Sequence, residues 1–411
     1  MRTNGSLASA TAAAILLVAA GVGRSTDLTV YQLADGIIRP SPLRGAQEAY
    51  LPIIRPSNHA SNLLALPNGD LLCFWFSGSE EGNADVSIAM SRLNHGSNRW
   101  SIPVIVASNP GLSDQNPVPF LGSDGQIFLF HTSQKAEKRI AENTALIYEL
   151  TSEDQGHTWS RQKVVFSKPG WYDRQHLVTF HHKWLFPLYF QGSAGITTNA
   201  QEDWSAVKIS TDQGKTWSTC KVPGSGGLVQ MDIVKLSPDR LLAFFRSRYA
   251  DWIYESHSSD GCHWSTPVAT QLPNNNSSIQ VIRLKDGHLV MAFNNTQATA
   301  TRGKPTTAGR GVLSVGLSVD EGKTWPWVRD VQAGAVPPPF RPGERFEYSY
   351  PSIVQAPDGL LQMSFTFRRE TIKYMTFSED WIKDGHTVGV FKGFNRRNRA
   401  PKLKPVLQSN R

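Results

Sequence analysis

Polar residues with chemical potential stand before six apolar stretches of the chain. In order they are His59, then Gln115 and Asn116, then Arg174, Gln175 and His176, then Gln230 and Asp232, then Asn276 and Ser277, then Tyr348 and Tyr350. Burying such groups at the head of an apolar strand is costly unless something pairs with them. Their recurrence at the same place in successive units favours a shared working surface over a merely hydrated channel. The residue types narrow the chemistry. An imidazole at His59 or His176 titrates in the range where proton transfer is useful. A phenol at Tyr350, with Tyr348 as its near competitor, can act as nucleophile or acid once a base or cation lowers its resistance to ionisation. Asp232 is a carboxylate one strand step from Gln230. Arg174, Asn116 and Gln230 supply hydrogen bonds for an anionic or polyhydroxylated ligand.

The elements that must carry these residues are set by a repeat. Ser152 to Trp159 reads S-x-D-x-G-x-T-W, and the pattern returns at Ser210 to Trp217 and Ser318 to Trp325. A shortened copy runs from Ser258 to Trp264, and degenerate copies from Ser91 to Trp100 and Ser378 to Trp381. The leading serines are 61, 58, 48, 60 and 60 residues apart, which marks six units. Asp and Ser side chains bind the backbone of a tight turn, Gly allows a positive φ, and the Trp packs beneath. Upstream of most copies lies a second hairpin signal, such as Asn68-Gly69, Asp124-Gly125, Asp286-Gly287 or Asp358-Gly359 between apolar runs. Two hairpins per unit make a four-stranded sheet. Six such sheets predict an all-β, six-bladed β-propeller with four-stranded antiparallel blades over residues 45–392.

Asp-box turns on a six-unit propeller resemble the sialidase (neuraminidase) superfamily, over roughly residues 50 to 390. The resemblance implies an exo-acting glycosidase working on a terminal carboxylated sugar, with a tyrosine nucleophile, an acidic proton donor and arginines on the carboxylate. Leu241 to Arg246 is similar to the strand that bears the second arginine, and Gly309-Arg310-Gly311 to the site of the third. Tyr350, eight residues before Asp358-Gly359, resembles the nucleophile. The proton donor is implied in the loop Ser79 to Asp85, at Glu80 or Glu81, with Asp85 capping the loop. Two positions depart from the pattern. His59 stands where the first arginine is expected, with Arg55 four residues earlier, and Gln230 stands where the glutamate partner of the tyrosine is expected, sixteen residues before Arg246. A glutamine cannot take a proton, so Asp232 or His59 is the candidate base. The same residues admit a second chemistry, β-elimination of a uronic acid, with His59 as base, Tyr350 as acid and the arginines neutralising the carboxylate. A third reading is a propeller that binds glycans without turnover, in which Trp171 to Arg174 is the candidate sugar contact.

Composition excludes other classes. Of 411 residues 40% are hydrophobic and 18% charged, with 12 Trp and 19 Phe, which rules out a disordered chain. The net charge of +8 is concentrated at 393–411, where Arg396, Arg397, Arg399, Lys402, Lys404 and Arg411 meet no acid. That reads as a solvated tail, so no nucleic-acid partner is expected. Arg2 followed by the apolar run Ala12 to Ala20 reads as a secretory signal over 1–23. A secreted monomer acting on an acidic glycan or polysaccharide is expected, with no membrane span once the signal is removed. No phosphate loop, serine elbow or zinc motif occurs, and no cofactor or metal is expected. Three cysteines allow one disulfide at most, and Asn275, Asn276 and Asn294 lie in glycosylation sequons.

Overall fold

The computed structural model describes residues 29–136, 141–192, 200–298, 306–334 and 346–393. The signal reading over 1–23 and all of the basic tail beyond Gly393 lie outside the described residues. Strand signals and turn signals combine as their spacing requires. Blade 1 takes Ser57–Ala65, Leu71–Gly78, Ser87–Leu93 and Val104–Ala107. Blade 2 takes Leu112–Leu121, Ile127–Lys135, Leu146–Ser152 and Lys163–Phe166. Blade 3 begins with two short pieces, Trp171–Tyr172 and Val178–Phe180, both paired with Lys183–Phe190, and continues through Trp204–Ser210 and Ser218–Lys221. Blade 4 runs through Leu228–Ser237, Arg240–Ser247, Trp252–Ser258 and Val268–Pro273. Blade 5 runs through Gln280–Arg283, Leu289–Asn294, Val312–Ser318 and Trp327–Ala333. Blade 6 has Tyr348–Gln355, Leu361–Phe367 and Thr371–Phe377, followed outward by Gln47–Tyr50 and the two-residue Arg39–Pro40 from the other end of the chain. The expected six-bladed antiparallel propeller is the observed one.

The serine–aspartate turns act as staples. In each full copy the serine Oγ accepts from the glycine N–H at 2.8–2.9 Å, and the aspartate binds both the N–H and the hydroxyl of the threonine, as Asp154 does with Thr158. Gln155 and Gly156 both take positive φ, 60° and 87°. The last degenerate copy is different. Ser378 caps the helix Glu379–Lys383 by accepting from Trp381 N at 3.1 Å, and Trp381 still packs into the core.

Apolar side chains interleave between neighbouring blades, for example Phe130, Trp184, Phe186 and Trp217 between blades 2 and 3. Beneath the central mouth a second set of contacts ties blade to blade. Asn62 donates to Pro117 O at 2.7 Å, Asp232 accepts from Val281 N at 2.7 Å, and Ser352 accepts from Leu63 N at 3.0 Å; Gln280 accepts from Ile353 N in the same manner. These polar residues are latches between successive blades. Cys220 and Cys262 form the one disulfide, between blades 3 and 4, and Cys73 is buried and free. The sequons are structural instead: Asn275, Asn276 and Asn294 are buried and donate to Gly309 O, Thr306 O and Tyr348 O.

Candidate active site

The inner strands break in register where they meet the mouth. Blades 1, 2, 4 and 6 each carry a β-bulge, between His59 and Asn62, Gln115 and Val118, Val229 and Asp232, and Ser349 and Ser352. The inserted residue is left-handed in every case: Ala60, Asn116, Gln230 and Tyr350, with φ of 57°, 48°, 51° and 52°. Asn276 before the blade 5 strand adopts 64°. Left-handed backbone is unfavourable for these side chains, and repeated bulges of this kind mark aimed positions rather than defects. The repeat of polar residues in sequence is therefore a repeat of bulges. In blade 1 the equivalent of Tyr350 is Ala60, and His59 sits one place earlier than its sequence register implied.

Tyr350 occupies the centre. Its hydroxyl accepts a hydrogen bond from Arg246 Nη1 at 2.7 Å. The guanidinium carbons of Arg174, Arg310 and Arg246 lie 5.3, 5.4 and 5.7 Å from its ring centroid. Burial alone would raise the phenol's pKa, but Arg246 and Arg310 outweigh it and the net direction is downward, with a hydrogen bond from Gln230 acting the same way. Gln230 also accepts from Arg246 Nη1 at 3.0 Å, and Asn276 accepts from Arg246 Nε at 2.8 Å. Arg246 thus has only neutral partners. Two residues on, Arg248 is closed off by Asp203 and Glu142 at 3.1 and 3.2 Å. The contrast leaves Arg246 without a carboxylate partner among the described residues.

A second cluster lines one side of the mouth. Glu347 receives Arg310 Nη1 at 2.7 Å and Arg369 Nε at 2.8 Å. Burial would raise its pKa, yet these two cations hold it well below the usual carboxylate range. Arg369 also reaches Glu81 through Nη1 and His59 Nε2 at 3.4 Å. Arg368 and Arg369 are consecutive left-handed residues, φ 57° and 61°, at the tip of a hairpin. Such turns favour Asn-Gly, so this one holds Arg369 over the mouth at a conformational cost. Three guanidiniums, Arg246, Arg310 and Arg369, stand with two carboxylates, Glu81 and Glu347, with Arg174 adding charge beneath, and the surplus suits an anionic ligand.

The sequence candidates divide accordingly. Tyr350, Arg246, Arg310, Gln230 and His59 come together. Asn116 lies at the floor, donating to Asp173 O at 2.9 Å. Glu81 pairs with Arg369 at the mouth, whereas Glu80 is exposed. Asp85 caps its loop through Ser79 N and Oγ at 2.9 and 2.8 Å. Asp232 is a blade latch one layer down and has no bond to Tyr350, because its carboxylate is spent on Val281 N. His176 lies in that lower layer too, bonded to Gln280 at 2.8 Å, and burial together with Arg174 pushes its pKa down to about 4. Tyr348 is buried in the core against Phe367, because the bulge at Tyr350 breaks the two-residue alternation. Arg174 is 1% exposed, with its donors taken by backbone and serine oxygens, so it cannot touch a ligand. Trp171 packs against Phe190 and Trp204 instead of the mouth. His59 is buried, its Nδ1 bonded to Thr366 Oγ1 at 2.8 Å and its Nε2 facing Arg369. Burial and that cation hold its pKa well below the usual imidazole value, which makes it a poor base. Arg55 is turned to Ser77 O, Asp85 O and Ser87. Arg369 and Glu347 were not singled out from the sequence. The available signal was the Arg368-Arg369 pair at a hairpin tip that lacks any turn residue.

Metal-ligating atoms come close together at Asp286, His288 and Glu379, but Lys383 Nζ already sits 2.8 Å from Glu379 Oε1. Among the described residues no helix is long and apolar enough to cross a membrane.

The model of the BNR repeat-like domain matches residues 69–363. No curated protein matches the chain by sequence. Among solved structures, a Hadza microbial sialidase superposes with a TM-score of 0.65 at 16% identity, over 80% of this chain and 67% of that one. A leech intramolecular trans-sialidase, complexed with 2,7-anhydro-Neu5Ac, gives 0.62 at 15% identity over 81% and 70%. The intramolecular trans-sialidase of Ruminococcus gnavus gives 0.62 at 14% identity over 81% and 97%. At these identities the likeness is one of fold. The six blades with their stapled turns and the span of the family match together place the chain in the BNR repeat-like domain family, on a propeller of the sialidase type.

Proposed function

We propose that the protein is a glycoside hydrolase that removes a terminal carboxylated sugar, sialic acid or a similar acidic sugar, from glycans. The observation that carries this reading is the phenol of Tyr350, which accepts from Arg246 at 2.7 Å amid guanidiniums that outnumber the nearby carboxylates. Arg246, Arg310 and Arg369 are assigned to the substrate carboxylate, with Arg369 standing in for the arginine that His59 replaces. Tyr350 oxygen attacks the anomeric carbon while Glu81, which takes up a proton once the substrate carboxylate displaces it from Arg369, gives that proton to the leaving oxygen. Water then attacks the glycosyl–tyrosine bond and returns a proton to Glu81, so configuration is retained. Gln230 cannot accept the phenol's proton, so the proton leaves to solvent before attack and the guanidiniums hold the anion. The elimination reading loses support because the lone pair of His59 Nε2 faces Arg369. The leader-like residues 1–23 and the Cys220–Cys262 bridge support an oxidising, extracytoplasmic location.

The test is product mass on a panel of sialylated and uronate-terminated glycans. Products that sum to substrate plus water support hydrolysis. Products that sum to substrate alone indicate intramolecular transfer if the sugar is an anhydro form, and elimination if it is unsaturated. An unchanged panel overturns the reading.

A further inference from the structure

We propose that Arg174 is a positioning residue for Tyr350: from beneath the ring it fixes the tyrosine's left-handed backbone and supplies permanent positive charge, so that the phenol ionises with no carboxylate base beside it. The inference rests on the reading of Tyr350 as the reacting group. Blade 3 departs from its neighbours to make this possible. Its inner strand is split into Trp171–Tyr172 and Val178–Phe180, and the residues between leave the sheet and carry Arg174 to the axis.

There the guanidinium joins three other blades. It donates to Ser61 O of blade 1 at 3.2 Å, to Ser278 Oγ ahead of the blade 5 strand at 3.2 Å, and to Tyr350 O and Pro351 O of blade 6 at 3.1 and 3.0 Å. Every acceptor is neutral. A buried cation ordinarily requires a carboxylate, and among the described residues none forms an ion pair with Arg174. Burial pulls its pKa down to about 10, while the nearest acids, Tyr350 foremost, act in the opposite direction. The two bonds to Tyr350 O and Pro351 O hold the backbone at the φ of 52° that aims the ring at the mouth.

The charged groups around Tyr350 come from every element packed on it. Blade 1 supplies neutral His59, the loop after its second strand supplies Glu81, blade 4 supplies Arg246, and Arg310 precedes the third strand of blade 5. Glu347, just before Tyr350's own strand, and Arg369 lie beyond. Arg369 and Arg310 already engage both carboxylates. Arg246 bonds the Tyr350 phenol oxygen directly and Arg174 lies 5.3 Å from its ring centroid, and neither has a carboxylate among its bonded partners.

The test is an ultraviolet titration of tyrosinate in the folded protein, without substrate. Tyr50, Tyr148, Tyr172, Tyr189, Tyr249, Tyr348 and Tyr374 are all pushed upward by burial. The expected result is a one-tyrosine step ahead of the main rise, absent in Tyr350→Phe. It should move up by about one pH unit or more in Arg174→Met, the scale of one charge at this range in a partly buried site. Arg174→Lys, which keeps the charge, should restore much of the shift. A Tyr350 that titrates with the main rise overturns the proposal, and so does a step unmoved in a folded Arg174→Met. If Arg174→Met does not fold, Arg174→Gln, which keeps hydrogen-bond donors and removes the charge, takes its place with the same expected upward shift, and an unmoved step in it overturns the proposal. Because no sugar is present, failure to turn over acidic glycans would sink the proposed function and leave this result standing.

Discussion

Replacing Asp232 by Asn separates a latch from a base. Asp232 is 2% exposed, and its Oδ2 accepts from Val281 N at 2.7 Å. Burial raises its carboxyl to about 7 from an ordinary value of 3.8, against the opposing pull of that backbone bond and of Arg174. Between those two pH values the folded chain holds a proton that the unfolded chain has released. Stability therefore falls as pH rises from about 4 to about 7, and above that the ionised carboxylate costs the folded state about 4 kcal/mol. Asparagine accepts the same bond and never ionises. Asp232→Asn should melt close to wild type at pH 4 and above it at pH 8, with a gap approaching about 5 °C for a chain of this size. Thermal melts of the two proteins from pH 4 to 8 measure the gap directly. Asp173, pushed up to about 8 by burial, cancels in the comparison. A gap that stays constant across that range, or a variant that melts lower at pH 8, would refute the assignment. So would a well-folded variant that has lost turnover, since that would return Asp232 to the role of base.

Three further outcomes are expected. Arg369→Met should raise KM for an acidic glycoside by about 10- to 100-fold with a smaller change in kcat, the scale of one charge-assisted bond to a carboxylate; initial rates decide, and an unchanged KM removes Arg369 from the site. Glu81→Gln should lower kcat by about 10²- to 10⁴-fold on a natural glycan and far less on a substrate whose leaving group needs no proton, while Glu80→Gln serves as the nearby control. Reduction of Cys220–Cys262, which closes a separation of 42 residues, should cost up to about 4 kcal/mol of stability, read as a lower melting temperature with reductant; an unshifted melt would show that the blade 3–4 joint holds without it.

The fold was legible because its signals are local and repeated. Each Ser-x-Asp-x-Gly-x-Thr-Trp turn is a self-contained hydrogen-bonded unit, so the copies at Ser152, Ser210 and Ser318 announce themselves without any tertiary context. The site was legible only in part, because its geometry depends on bulges. One inserted left-handed residue changes which side chain faces the mouth. That is why Tyr348 shares a strand with Tyr350 and ends in the core, and why His59 is displaced from the aligned position by Ala60. Asp232 shows the same limit from another side: a carboxylate near a reactive centre looks like a base until the neighbouring blade's N–H is seen to use it. Arg369 and Glu347, 22 residues apart, lie at the same end of the paired inner strands of blade 6, where Arg368 N donates to Glu347 O and the left-handed arginine pair turns Arg369 back onto Glu347.

The closure of the ring sets an order of events. Gln47–Tyr50 leaves the ribosome early, yet it pairs with Lys373–Thr376, which follow more than 300 residues later. At about 5–20 residues per second the early strand waits on the order of half a minute for its partner. Until then it is an exposed edge with unpaired backbone groups, and the sixth blade does not exist. The circle can be joined only after the last blade is made, so a nascent chain is held open for its whole synthesis. Losing either Gln47–Tyr50 or Thr371–Phe377 removes part of the same blade. The two segments therefore behave as a single clasp, and damage to one should be felt as damage to the other.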